Sequence, residues 1–533
     1  MKHPFRYGKL TVLSSALLSL TSSVLANDVE STTAPASSPA EQTAQVLPTL
    51  SFKASAEPQK PKDDDISAVP KTIITRDEML QYGDQTVMDA LRRAAGFQLP
   101  GGPGPRGGNG ASGMRFRGGG APTFLINGEA VQGGPRGGMS IVDTITPDMI
   151  ERIEVVKQPS VAQASVASSA VINIILKEPL DTRLNGSVKL GYGLRDSGKQ
   201  EAGRKQVSVQ ADGRDNQWVY SLSANQMWND TTSMTTTETA TGTREQLRTT
   251  NRTSQMFSPR LQYELDDQQK LIAELFYRNN KSTGVRGDQI QDDKNDSIRL
   301  NTRYERKDKD LSDKVRLTVE HQTETQLTRS PLNSIYTDET VDEYGLAYDG
   351  VRKFDQTRQI KFGVSANNSQ LDSNVSQSLD EQRYALYSEG SWRFTDRQTV
   401  TLGARQEWLD RSGLVDYQDH HLSPVLAYRF DLTNQWSIQT NLSQAFRSPN
   451  TDRLIPNVTV STDSDAGSLN NPDRGGNPNL KPEKIKAFES TLAFDSASGG
   501  VNLTAYHREI KDYIERVIAL EGSRYVERPQ NQN

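Results

Sequence analysis

The chain has 533 residues, 34% of them hydrophobic, with 62 Lys and Arg against 67 Asp and Glu and no cysteine. A formal charge of −5 lacks the clustered basic excess of a nucleic-acid binder. The absence of cysteine excludes disulfides, Cys-ligated zinc and a lipid-anchored cysteine. Beyond the N-terminal leader no stretch approaches the roughly 18 consecutive apolar residues of a helical membrane span. A β-barrel, in which only alternate residues face lipid and the loops are polar, remains compatible with this composition.

Lys2, His3, Arg6 and Lys9 precede a short apolar run over residues 10–20, and Val24-Leu25-Ala26 supplies the small residues of a cleavage site. Residues 1–26 therefore read as a secretory signal. Residues 27–45 are mostly Ser, Thr, Ala and Pro with no apolar period, so they cannot bury a core. Alternating apolar residues return over 46–54, in Val46-Leu47-Pro48-Thr49-Leu50-Ser51-Phe52-Lys53-Ala54, before a polar linker over 58–65. The stretch 27–65 is a disordered leash carrying one short segment suited to strand addition onto a partner.

A compact α+β unit is predicted over 66–179. Val69, Ile73 and Ile74 mark a strand over 68–75, and Thr75 with Glu78 forms a capping box that opens a short helix. Residues 86–91 form a second amphipathic helix that stops at Gly96. Residues 100–120 are dominated by Gly and carry Arg106, Arg115 and Arg117. A phosphate-cradling loop would need a helix and a Lys-Ser/Thr pair after the glycines. Neither follows, so the stretch reads as a flexible loop entering the strand Met114-Arg115-Phe116-Arg117. Thr123-Phe124-Leu125-Ile126 is a strand and Asn127-Gly128 a hairpin turn. A short helix around Pro147, a strand through Ile153, Val155 and Val156, and an almost wholly apolar, buried strand over 171–177 complete the unit.

From residue 180 the period becomes two. Leu184, Val188, Leu190 and Tyr192 share one face, and so do Trp218, Tyr220 and Leu222; Leu271, Leu275 and Tyr277; Val315, Leu317 and Val319; Val400 and Leu402; and Trp436, Ile438 and Leu442. Polar residues occupy the alternate positions, as in a barrel that spans an outer membrane. So many Arg, Gln and Glu on one face argue against a dry sandwich core. Short turns at 212–217, 266–268 and 395–398 alternate with long polar loops expected at 229–250, 279–296, 325–357 and 448–483. About 14 strands are expected. His420 and His421 read as surface residues rather than metal ligands.

Five elements of the α+β unit resemble, in order, the plug of a TonB-dependent receptor. They are Thr86-Val87-Met88-Asp89-Ala90-Leu91 with Ala95-Gly96-Phe97, then Phe116-Arg117-Gly118, Phe124-Leu125-Ile126-Asn127-Gly128, Ile150-Glu151-Arg152-Ile153-Glu154-Val155 and Val171-Ile172-Asn173-Ile174. Ala445-Phe446-Arg447-Ser448-Pro449, Asn477-Pro478-Asn479-Leu480-Lys481-Pro482-Glu483 and residues 506–514 resemble strand ends of that family's barrel. The family's glycines between the last two plug strands are replaced here, in Gln158-Pro159-Ser160-Val161-Ala162-Gln163-Ala164 and Ser168-Ser169-Ala170, and 101–110 is a Gly-rich insert.

The resemblance implies an N-terminal plug inside a transmembrane antiparallel β-barrel over 180–533, in the outer membrane of a Gram-negative bacterium. It implies active import without bond chemistry: no enzyme activity, no catalytic residue, no resident metal and no cofactor. The segment 46–54 resembles the TonB box, so Leu50, Ser51, Phe52, Lys53 and Ala54 are expected to pair with the TonB energy-coupling protein. Arg106, Arg115 and Arg117 are expected at the cargo, or in salt bridges to the barrel wall. A ferric siderophore is the default cargo by family frequency. Cobalamin, haem, an oligosaccharide or a peptide are alternatives, and haem is disfavoured because residues 450–476 contain no His. A passive porin would lack plug and TonB box. About 14 strands fall short of the roughly 22 of a plugged transporter, so the chain is expected to be a fragment or a truncated, non-transporting receptor.

Overall fold

The computed structural model describes residues 66, 71–84, 86–93, 97–98, 115–116, 122–131, 145, 147–156, 161, 170–178, 182–196, 200–239, 242–331, 334–449, 453–458, 460, 466–496 and 499–532. The predicted leader, leash and TonB-box segment lie outside them, as do Arg106 and Arg117.

The plug unit opens with β1 (Lys71–Thr75), α1 (Arg76–Gln81) and α2 (Val87–Arg93). The predicted cap is present: the Thr75 hydroxyl oxygen accepts the Glu78 N–H at 3.3 Å, satisfying one of the orphan donors of the first turn. Thr86 and Asp89 cap α2 reciprocally, the Asp89 carboxylate accepting from Thr86 N at 3.1 Å and the Thr86 oxygen from Asp89 N at 3.2 Å. Then come β2 (Phe97–Gln98), β3 (Arg115–Phe116), β4 (Thr123–Ile126), β5 (Glu129–Val131), a 3-10 turn at Pro147–Met149, β6 (Ile150–Val156) and β7 (Val171–Leu176). Asn127 and Gly128 both take positive φ, 51° and 84°. That is the geometry a two-residue hairpin turn needs, and it is why Asn-Gly stands there.

β1, β6, β7, β4 and β5 form one sheet in that order, with β7 parallel to β4. Ile153, Ile172 and Ile174 are buried between this sheet and Met79, Val87, Ala90 and Leu91 of the helices. β7 has neighbours on both edges and apolar cover, so an apolar run replaces alternation there.

The second region is a run of long hairpins. Its strands are β8 (Asn185–Asp196), β9 (Gln200–Asp215), β10 (Trp218–Thr239), β11 (Gly242–Glu264), β12 (Gln269–Arg286), β13 (Gln289–Lys307), β14 (Leu311–Arg329), β15 (Ser334–Lys353), β16 (Arg358–Ser373), β17 (Leu379–Thr395), β18 (Gln398–Gly413), β19 (Tyr417–Asp431) and β20 (Trp436–Arg447). After β21 (Asp473–Arg474) follow β22 (Glu483–Ser496), β23 (Gly499–Lys511), β24 (Tyr513–Glu521) and β25 (Arg524–Gln532). Fifteen strands, β8–β20 with β22 and β23, form a single antiparallel sheet. Among the described residues β8 and β23 pair on one edge only, so the sheet is open. β24 and β25 leave it to pair with each other and with β21.

The predicted alternation holds: Leu402 is 61% exposed on the outer face, and its neighbour Thr401 is fully buried on the inner one. Rings pair near the short-turn end, Trp218 with Tyr263 at 4.7 Å and Trp436 with Phe494 at 4.9 Å. Such aromatics form one interfacial girdle of a barrel.

Two expectations are corrected. The stretches 229–250, 279–296 and 325–357 are not loops but paired hairpins for most of their length. The strand number rises with them: β8 to β25 are eighteen among the described residues, four of them after the Asn-Pro-Asn-Leu-Lys-Pro-Glu stretch. Backbone pairing needs no apolar side chains once a strand rises out of the hydrocarbon, so polar sequence there concealed strand structure.

Candidate functional site

The inner face of the sheet does two things: it seats the plug, and beyond the plug it lines a mouth. Seating begins with apolar contact. Met256 of β11 and Phe276 of β12 join the plug core, and Ala427 of β19 packs on Leu125, Val156 and Val171. Val161 is fully buried against Tyr387 of β17 and Val425 of β19. Gly403 makes room for it, since a Cβ there would stand 3.0 Å from a Val161 methyl.

Polar contacts fix the orientation. Val161 N donates to the Glu389 carboxylate at 3.3 Å. Arg316 of β14 donates to the Gly128 carbonyl at 3.3 Å, and its guanidinium also binds Asp349 at 2.6 Å. Tyr387 donates to the other Asp349 oxygen at 2.7 Å. Lys177 at the end of the plug faces Asp212 of β9 at 4.0 Å.

Most inward arginines of the wall are neutralised by carboxylates. Arg260 and Arg303 share Glu274 at 3.2 and 3.0 Å, and Arg383 and Arg411 share Glu381 at 2.6 Å each. Arg405 pairs with Glu407 at 3.2 Å. Each pair satisfies charges that burial would otherwise make costly. Near the long-hairpin end Arg248 of β11 stands directly opposite Arg286 of β12. Burial and the facing Arg286 both disfavour the charged form of Arg248, while Asp293 favours it.

Of the residues singled out in the sequence, Arg115 lies on β3, paired with Gln98. Leu50, Ser51, Phe52, Lys53, Ala54, Arg106 and Arg117 fall outside the described residues, so nothing here joins them to the wall. His420 is exposed, as expected. His421 is not a surface residue: it turns inward, half buried, with its ring 5.1 Å from Phe446. Adjacent strand residues face opposite sides, so the two histidines could not share one environment. Among the described residues no group of three or more His, Cys, Asp or Glu is placed to hold a metal ion. The wall arginines were not singled out in the sequence, although Arg248 and Arg252, four apart in a period-two segment, had to fall on one face.

The fold matches those of solved receptors. A single-site mutant of the ferric enterobactin receptor PfeA of Pseudomonas aeruginosa, solved in complex with enterobactin, gives a TM-score of 0.69 at 15% identity, over 86% of this chain and 76% of that one. The siderophore receptor PirA of Pseudomonas aeruginosa gives 0.65 at 18%, over 87% and 79%. The copper transporter OprC gives 0.62 at 15%, over 87% and 75%. At these identities the likeness concerns the fold alone. No curated protein matches the chain. The model of the TonB-dependent receptor plug domain matches residues 65–171, and that of the TonB-dependent receptor-like β-barrel matches 181–533. The chain therefore belongs to the TonB-dependent receptors, transporters rather than enzymes, which reside in the outer membrane of Gram-negative bacteria.

Proposed function

We propose that the protein imports a ferric siderophore across the outer membrane, powered through TonB. In this reading residues 1–26 are removed on export and 27–65 reach into the periplasm. Residues 66–179 form the plug and 180–533 the barrel. Leu50, Ser51, Phe52, Lys53 and Ala54 add a strand to TonB, and pulling on them loosens the plug from its seat around Val161 and Gly128. Arg106, Arg115 and Arg117 contact the cargo from the plug side.

The observation that carries the reading is the seated plug. The wall binds it through Glu389, Arg316 and an apolar pocket, so the lumen is obstructed. A permanent, open pore has no use for such a seat. The siderophore assignment draws support from the fold shared with PfeA and PirA.

Growth of iron-starved cells tests it. A strain lacking its other siderophore receptors and carrying this gene should grow on at least one ferric siderophore of a panel. No growth on any of them, with growth on a non-iron cargo such as cobalamin or an oligosaccharide, would replace the siderophore assignment.

A further inference from the structure

Two of the plug's wall contacts lie well apart, the Gly128 turn against β14 and Val161 against β17. Two strands, β15 and β16, stand between β14 and β17 in the sheet. The wall residues that make these contacts are nevertheless joined by one carboxylate. One oxygen of Asp349 on β15 accepts from the Arg316 guanidinium at 2.6 Å, and Arg316 also donates to the Gly128 carbonyl. The other oxygen accepts the Tyr387 hydroxyl at 2.7 Å, and the Tyr387 ring packs on Val161.

The register shows how the ring spans a strand. Lys314, Asp349, Gly363, Tyr387 and Arg405 stand opposite one another in one row from β14 to β18. To reach Asp349, Tyr387 must lie across β16, and the residue it crosses is glycine. A Cβ at Gly363 would stand 2.5 Å from Tyr387 Cε1 and 2.6 Å from the Tyr348 carbonyl oxygen, both closer than packed atoms approach. The row is braced at both ends. Arg405 lies over the Tyr387 ring, 5.9 Å from its centroid, and pairs with Glu407 at 3.2 Å. At the other end the Lys314 amine reaches the plug turn, 3.9 Å from where a Cβ of Gly128 would be. Tyr387 is only 7% exposed and the Arg316 side chain 17%. Hydrogen bonds chained in such surroundings polarise one another, so the loss of one weakens the next.

We propose that Asp349, Gly363 and Tyr387 are positioning residues of a relay inside the wall, which couples these two plug contacts so that release of either loosens the other. When Val161 leaves, Tyr387 loses the packing that holds its ring over Gly363, and its bond to Asp349 weakens. Asp349 then holds Arg316 less firmly in the place from which it reaches the Gly128 carbonyl. The relay is a property of the resting protein; its use in opening the lumen rests on the import reading above.

Hydrogen exchange of the full chain purified from outer membranes, without cargo, reads the two contacts separately in peptides covering Gly128 and Val161. Tyr387→Phe keeps the ring on Val161 and removes only the bond to Asp349. The relay predicts about three- to tenfold faster exchange around Gly128, the order of one net hydrogen bond, although two strands separate Tyr387 from Arg316. Gly363→Ala displaces the ring without removing a donor or acceptor and should do the same. Arg316→Gln should act in the other direction, on Val161. In R316Q/Y387F each site should show only the larger of the two single effects, because a chain broken once gains nothing from a second break. Unchanged exchange across β11 and β12 marks a variant whose sheet is intact, and if Arg316→Gln disturbs the sheet the Tyr387→Phe result decides alone. Exchange at Gly128 unmoved by Tyr387→Phe, or effects that add in the double variant, would overturn the relay. Neither cargo nor TonB enters the measurement, so that outcome leaves the import reading standing, and a failure of iron uptake leaves the relay standing.

Discussion

Asn173 shows how one side chain organises the plug. It lies on β7, and its carbonyl oxygen accepts the Gly128 N–H at 2.8 Å while its amide donates to Glu154 at 3.3 Å. Leaving a buried donor unpaired costs about 1–3 kcal/mol. Asn173→Ala should therefore loosen the β4–β5 hairpin by that amount, read as faster hydrogen exchange over residues 123–131. Asp355 does a similar task in the exposed turn between β15 and β16. Its carboxylate accepts from the Thr357 hydroxyl, the Arg358 guanidinium and Thr357 N, and these bonds hold its pKa well below the usual aspartate value. A depressed pKa contributes stability above the ordinary aspartate value of about 4, and that contribution is lost only as the pH falls through the depressed one. Exchange at Thr357, corrected for intrinsic rate, should thus stay protected from neutral pH to about pH 4 and rise at both ends in Asp355→Asn.

At the scale of elements, the legible parts of the sequence were those in which chemistry and period agree. Thr75 and Glu78 announced α1, Asn127-Gly128 announced a turn with two positive φ values, and the alternation about Thr401 and Leu402 announced which face of β18 is buried. What stayed hidden has a physical cause. The polar upper halves of β10 to β15 lack a sustained apolar period and carry loop-like residues such as Asn279, Gly284 and Asn295, yet their backbones pair without interruption. The inward turn of His421 and the facing of Arg248 and Arg286 depend on register between strands, which one strand's sequence does not specify. The seat of Val161 depends on a glycine far away in the chain, Gly403. The two faces respond differently to truncation. Leu91→Ala in the buried plug core should cost about 2–5 kcal/mol, seen as lost exchange protection across α2 and β7. Leu402→Ala on the outer face should leave plug protection unchanged.

For the whole molecule, the described strands form an open sheet that wraps a plug. Among the described residues the outer edges of β8 and β23 have no strand partner, and unpaired backbone groups cost several kcal/mol each in hydrocarbon. Around the plug, apolar seats and single hydrogen bonds hold it against the inner face of the sheet, and on the proposed reading a pull on the leash breaks these contacts one at a time. This arrangement suits a transporter opened by mechanical work and would serve a diffusion pore poorly.

That distinction is the central claim, and uptake of radioactive iron presented as a ferric siderophore tests it most directly. Cells carrying the gene are compared with cells whose gene lacks codons 46–54. The account predicts that the deletion reduces uptake to background while binding at the cell surface is retained, because the plug stays seated and only the pull is lost. Undiminished uptake in the deletion strain, or uptake that continues after the membrane potential is collapsed, would contradict it.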